Sequence, residues 1–127
     1  MKIKLASVPV KDQDKALRFY TEILGFAKKT EVPMGEHKWL TVVSKDEPDG
    51  TELLLEPMGF APAATYQKAL FEAGIPYTAF HVDNIADEYQ RLEKKGVVFS
   101  MKPTPMGPVT IAVFDDTCGN NIQIVQV

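Results

Sequence analysis

The same order of predicted elements occurs twice along the chain, and this repeat limits the possible folds more than any other sequence feature. The side chains of residues 2–10 alternate between two faces, as expected of a strand. Apolar residues at helical spacing follow, which predicts an amphipathic helix. This helix has Asp12 as its cap and Gly25 at its end. Three more strands are predicted at 26–32, 37–44 and 51–57. The first half is therefore predicted to form a βαβββ module.

The second half repeats this order after a connector with a short helical pattern. A strand, a helix and three strands are predicted at 77–82, 84–95, 97–100, 108–115 and 121–126. A repeat of about 70 residues is too long for a solenoid unit, and two copies are too few. The predicted organisation is a single domain, 1–127, with module one at about 1–60, a connector helix at about 61–75 and module two at about 76–127.

Charge and composition exclude several classes of partner. The net charge is −3, and no basic run is longer than Lys94-Lys95, so the sequence offers no surface for a phosphate backbone. No stretch approaches the roughly 20 apolar residues of a membrane-spanning helix. Cys118 is the only cysteine, which excludes an intramolecular disulfide. We expect a cytoplasmic protein that binds neither nucleic acid nor membrane.

Several short motifs follow one another in a fixed order. They are Pro9-Val10-Lys11-Asp12, Ala16-Leu17-Arg18-Phe19-Tyr20, Ile23-Leu24-Gly25-Phe26, Gly50-Thr51-Glu52-Leu53 and the turn from Asp115 to Asn120. In this order the chain resembles the glyoxalase/bleomycin resistance/extradiol dioxygenase superfamily, also called vicinal oxygen chelate proteins. The resemblance covers nearly the whole chain. It implies an α+β fold in which two βαβββ modules form an open, curled mixed sheet around a cavity, and it implies a small-molecule ligand and a homodimer.

Alternation along each strand predicts which side chains face this cavity. The predicted cavity residues are Leu5, Ser7, Trp39, Leu53, Tyr77, His81, Asn121 and Gln123. Trp39 is either a stacking wall for a planar ligand or a core anchor. His81 could contact the ligand or carry a proton near neutral pH, or it could be a hydrogen-bonded wall residue without a chemical role.

Metal-dependent members of the superfamily bind a divalent ion through His, Gln or Glu side chains from four strands. The resemblance places these positions on Leu5, Leu53, Tyr77 and Gln123. Leucine cannot coordinate a metal, so we expect neither a metal ion nor another cofactor. The alternative is a relocated metal site, whose candidate ligands are His37, His81, Glu52 and Glu56. The two glutamates would face inward only if the predicted register of the fourth strand were wrong by one residue.

Three functions from different classes are compatible with these patterns. The first is a metal-free small-molecule binding protein, comparable to the drug-sequestering members of the superfamily. The second is a metal-dependent lyase, isomerase or dioxygenase with relocated ligands, for which no catalytic residue is predicted. The third is an interaction domain in which Leu5 and Leu53 fill the cavity. One fold hosts many chemistries, so the fold alone does not choose among these functions. We favour the first function because it requires the fewest specific residues.

Overall fold

The repeat of predicted elements corresponds to two structural units. The structure is a computed structural model that describes all residues from Met1 to Val127. The chain divides into two compact units, Met1–Ala64 and Thr65–Val127, and each contains one four-stranded mixed sheet. This α+β architecture of two βαβββ units confirms the predicted fold class. No helix of the structure has both the length and the apolar character needed to cross a membrane.

The first unit contains one helix and one sheet. Its elements are β1 (Leu5–Val10), α1 (Gln13–Arg18), a π-helical segment (Phe19–Ile23), β2 (Ala27–Met34), β3 (His37–Val43) and β4 (Glu52–Pro57). The strand order is β1-β4-β3-β2. Strand β1 runs parallel to β4, whereas β3 pairs with both β2 and β4 in antiparallel fashion.

Helix α1 covers one face of this sheet. The helix begins after the predicted cap Asp12, whose carboxylate accepts from the backbone N of Lys15 at 3.1 Å. The Gln13 amide fixes the helix to two strands, because it donates to the backbone oxygens of Lys38 and Leu55 at 2.8 Å each. The core consists of fully buried side chains from both elements, namely Ala16, Tyr20, Val8, Val10, Leu40, Val42 and Leu55. The apolar stripe therefore packs on the sheet as the helical pattern predicts.

The second unit repeats the topology of the first. Helix α2 (Ala61–Glu72) leads into it from the first unit, and β5 (Thr78–His81), α3 (Ile85–Lys94), β6 (Phe99–Met106), β7 (Val109–Asp115) and β8 (Asn121–Gln126) follow. The strand order is β5-β8-β7-β6, with β5 parallel to β8. The order of strands and the position of the parallel pair are the same as in the first unit.

Helix α3 covers one face of the second sheet. Asn84 caps it by accepting from the backbone N of Asp87 at 3.1 Å. Tyr89 on the helix contacts Phe99 edge-on at a centroid distance of 4.8 Å, and Phe99 contacts Phe114 at 5.6 Å. Beneath the helix lie the buried side chains of Ala112, Phe114, Ile122 and Ile124.

One segment differs from its sequence-based prediction. Residues 101–106 lie between the predicted strands 97–100 and 108–115, but they belong to β6 and pair with β7. The prolines at 103 and 105 are tolerated because β6 is an edge strand, where a residue without an N–H costs little. The pairing shifts register between Phe99 and Met101 and again before Thr104. Strand signals and turn signals therefore overlap here, which explains the error.

Candidate functional site

The first sheet has a face that points away from α1. Residues paired across neighbouring strands share a face, and Leu5 pairs with Glu52 while Ser7 pairs with Leu54. On β3, Thr41 pairs with Leu54 and so lies on this face as well. We call this surface the helix-distal face of the first sheet. It includes Leu5, Ser7, Pro9, Thr30, Val32, Trp39, Thr41, Glu52, Leu54 and Glu56.

The centre of this face is buried and its rim is exposed. Thr41 is fully buried and Leu54 is 8% exposed. By contrast, Leu5 is 46% exposed and Trp39 is 37% exposed. The predicted alternative in which Trp39 is a core anchor is therefore wrong, whereas stacking of Trp39 on a ligand stays a prediction.

The predicted direction of Leu53 is wrong. Leu53 pairs with Ala6 on β1 and with Val42 on β3, and Val42 is fully buried on the side that α1 covers. Leu53 therefore lies on the opposite face from Leu5. The cause is the run of three leucines at 53–55, which provides no contrast between polar and apolar positions to mark the two faces.

The corrected register brings two carboxylates to the helix-distal face of the first sheet. Glu52 pairs with Leu5, and Glu56 pairs with Pro9. The Oε1 atom of Glu52 accepts a hydrogen bond from the Thr41 hydroxyl at 2.6 Å and a longer one from the Thr30 hydroxyl at 3.5 Å. Both glutamates are predicted from the sequence only as candidate ligands of a relocated metal site. The signal that pointed to them was the ambiguous register of β4.

The predicted directions in the second unit agree with the strand pairing. Ala79 pairs with Gln123 and His81 pairs with Val125, while Phe80 pairs with the buried Ile124 on the side of α3. His81 and Gln123 therefore lie on the helix-distal face of the second sheet, which is also the side of Tyr77 and Asn121 by alternation. His81 is exposed, whereas Tyr77 and Gln123 are half-buried. Their contact with a ligand stays a prediction.

Two of these residues also contact helix α2. The ring of Tyr77 contacts that of Tyr66 edge-on at a centroid distance of 6.2 Å. Asn121 is 7% exposed, and its Nδ2 atom donates to the backbone oxygen of Phe71 at 3.2 Å. Asn121 therefore has a structural role in holding α2, a role that alternation along a strand cannot reveal.

A separate cleft of about 290 Å³ lies in the first unit at the start of α1. It is lined by Val10, Lys11, Asp12, Gln13, Asp14, Glu36, His37, Lys38, Pro57 and Met58. The Lys38 ammonium contacts the carboxylates of Asp14 at 2.6 Å and Glu31 at 3.1 Å. These two hydrogen bonds, which Lys38 donates, raise the pKa of Lys38 above its ordinary value, and the one to Asp14 has the larger effect. None of the predicted cavity residues lines this cleft.

The comparisons with known proteins agree with this architecture. Two units of βαβββ topology, each with one sheet face covered by a helix, define a protein of the paired-module α+β class. The sequence model of the Glyoxalase/Bleomycin resistance protein/Dioxygenase superfamily matches residues 2–124, and the chain belongs to this superfamily.

One sequence relative and two solved structures show how far the similarity extends. The chain is 61% identical over 126 residues to the uncharacterized protein YurT of Bacillus subtilis (strain 168), covering 99% of each. The crystal structure of UcmS2 is 34% identical, with a TM-score of 0.86 over 100% of this chain and 98% of the other. TnmS3, an antibiotic binding protein from Streptomyces sp. CB03234, is 27% identical, with a TM-score of 0.76 over 99% of this chain and 95% of the other.

Two of the four side chains that the resemblance places at the superfamily's metal positions cannot coordinate a divalent ion. Leu5 is aliphatic, and Leu53 is both aliphatic and directed to the helix-covered face. Within neither unit do three or more His, Cys, Asp or Glu side chains come together in a way that could hold a metal ion. Glu52 already uses one oxygen for threonine hydroxyls.

Proposed function

We propose that the chain is a small-molecule binding protein that works without a metal ion. The observation that carries this proposal is the rim of the helix-distal face of the first sheet. There Leu5, Val32 and Trp39 expose apolar surface beside a few polar groups, among them Ser7 and Glu52. Surfaces that bind small molecules have this composition, in which apolar groups supply affinity and a few polar groups fix the orientation.

The solved relatives support the same proposal. TnmS3 is described as an antibiotic binding protein, and it matches this chain over nearly its whole length. We therefore expect the ligand to be an organic compound with a substantial apolar or aromatic part. At 27% sequence identity the two proteins need not bind the same compound, because a few changed side chains are enough to alter the specificity of a binding surface.

The first test is a thermal-shift screen of aromatic compounds on the purified protein. A compound present at roughly 100 times its Kd should add about 2.7 kcal/mol to the free energy of unfolding. Replacing Trp39 by alanine should reduce this shift, because Trp39 supplies exposed aromatic surface on the proposed binding face. The matched control is Phe60→Ala, since Phe60 is also exposed but lies outside both sheets. Absence of any shift across a broad library would contradict the proposal.

The second candidate is a metal-dependent enzyme. The register of β4 favours it because this register brings two carboxylates to the helix-distal face of the first sheet. Glu52 and Glu56 lie on the same face as Leu5 and Ser7, where carboxylates could serve a relocated metal site. Elemental analysis of protein purified without added metal separates the two candidates. We expect less than about 0.1 divalent ion per chain, whereas a site with a structural or catalytic metal would retain close to one. A full equivalent of metal that is lost in Glu52→Gln would establish the second candidate.

The proposal includes a homodimer, as the family resemblance implies. Apolar side chains such as Ile3, Met34 and Val98 are largely exposed on the single chain, and burial against a second copy would remove part of this surface from water. Light scattering coupled to gel filtration should give twice the mass of one chain. A monomer at micromolar concentration would contradict this part of the proposal and leave the binding function unaffected.

A further inference from the structure

The strand side chains on the helix-distal face of the first sheet include acids but no lysine or arginine. Glu52 and Glu56 both lie there, on either side of Leu54. The lysines of the neighbouring strands are engaged elsewhere: Lys38 contacts Asp14 and Glu31, Lys28 contacts Glu31, and Lys29 contacts Asp49. Neither Glu52 nor Glu56 forms an ion pair. This face therefore carries negative charge that the chain itself does not neutralise.

Glu52 is held in one orientation by its neighbours. Its Oε1 atom accepts from the buried Thr41 hydroxyl at 2.6 Å and from the Thr30 hydroxyl at 3.5 Å. An ionised carboxylate offers about four acceptor positions on its two oxygens, so the Oε2 atom retains its capacity for a further donor. A carboxylate fixed in advance loses little conformational entropy when it binds a partner.

An apolar ligand that covered this face would remove Glu52 from water. An ionised carboxylate without a partner is costly to bury, so a neutral ligand without a donor at this point would bind poorly. A protonated amine restores the lost interactions, because it provides both charge and hydrogen-bond donors. Trp39 lies on the same face, two residues along β3 from Thr41, and is 37% exposed, so its ring can stack on the aromatic body of the same ligand.

We infer that the ligand of this face is an amphipathic amine, with an aromatic or otherwise apolar body and a protonated nitrogen that binds the Glu52 carboxylate. The inference rests on the proposed function and narrows its class of ligand. Glu52 is a ligand-binding residue on this account, whereas Thr41 and Thr30 position its carboxylate. Glu56, at the exposed end of the same face, adds to the negative potential.

The test compares two probes that differ only in their polar group, 2-naphthylmethylamine and 2-naphthylmethanol. Isothermal titration of the full chain at neutral pH should give a Kd for the amine at least about ten-fold lower than for the alcohol, as expected for a hydrogen bond to a charged group. Glu52→Gln should reduce this preference to about two-fold or less while retaining the affinity for the alcohol. The control is Glu47→Gln, which makes the same charge change at an exposed position in the turn before β4.

The outcomes separate this inference from the proposed function. Equal affinities for amine and alcohol in the unaltered protein would overturn the inference and leave the binding function standing. No binding of either probe, together with no shift in the aromatic screen, would overturn both. A preference for the amine that survives in Glu52→Gln would overturn the assignment to Glu52. The comparison in the unaltered protein needs no variant, so it decides the question even if Glu52→Gln folds poorly.

Discussion

Replacing Asp116 by alanine is expected to lower the free energy of unfolding of the second unit by about 3–5 kcal/mol, since three buried donors would each lose a charged acceptor. Asp116 is fully buried. Its Oδ1 atom accepts from the backbone nitrogens of Cys118 at 2.7 Å and Asn120 at 3.0 Å. Its Oδ2 atom accepts from the Asn120 amide at 2.9 Å. The whole turn before β8 is therefore organised around one carboxylate.

The neighbouring residue provides the control for this prediction. Asp115 accepts one hydrogen bond, from the backbone N of Thr117 at 2.7 Å, and that bond is exposed to solvent. Asp115→Ala should therefore cost about 1 kcal/mol or less. Urea unfolding followed by far-UV circular dichroism measures both variants, because the only tryptophan, Trp39, lies in the other unit. Similar losses for the two variants would show that the buried network is not what stabilises the turn.

Replacing Gly119 by alanine is expected to cost about 2–4 kcal/mol, from left-handed backbone strain and steric overlap together. Gly119 has a φ of +104°, and a Cβ atom there would lie 2.8 Å from the Gln67 side chain. Gln67 cannot move away freely, because it is 2% exposed and its amide donates to Asn120 Oδ1 at 3.1 Å and to the backbone oxygen of Cys118 at 3.3 Å. The alanine would therefore break these bonds as well as strain the backbone.

A second glycine separates the two contributions. Gly96 has a φ of +86°, and a Cβ atom there would meet nothing within 4 Å. Gly96→Ala should therefore show only the backbone cost, about 1–2 kcal/mol. In addition, Gly119→Ala combined with Gln67→Ala should cost less than the sum of the two single variants. The shortened side chain at position 67 no longer overlaps the new Cβ atom, and the hydrogen bonds of Gln67 are lost only once. Exact additivity in urea unfolding would argue against the overlap.

The turn from Asp115 to Asn120 also links stability to the candidate site. Gln67 of α2 is bound to this turn, and Asn121, the first residue of β8, donates to the backbone of α2. Residues Asn121 and Gln123 follow directly on β8, on its helix-distal face. The turn from Asp115 to Asn120 therefore joins a helix to the strand that carries predicted ligand-binding residues.

Much of the fold could be predicted from local patterns. Asp12 caps the first helix as predicted, and the apolar stripes of the first and third helices pack on sheets. Alternation along the strand predicts that the His81 and Gln123 side chains lie on the helix-distal face, because their strands mix polar and apolar residues. Patterns were insufficient where signals conflicted, as at residues 101–106, in which two prolines obscured an edge strand.

The sequence by itself determined the order of the elements, the duplication, the cap of the first helix and the superfamily, because each of these depends on patterns within short segments of the chain. Only the tertiary structure decided the register of β4. The leucines at 53–55 satisfy either face equally well, so alternation within the strand cannot choose between them. Pairing with β1 and β3 turns Leu53 toward the helix-covered face. Glu52 is thereby turned to the helix-distal face of the first sheet, where we propose that its carboxylate binds the ligand.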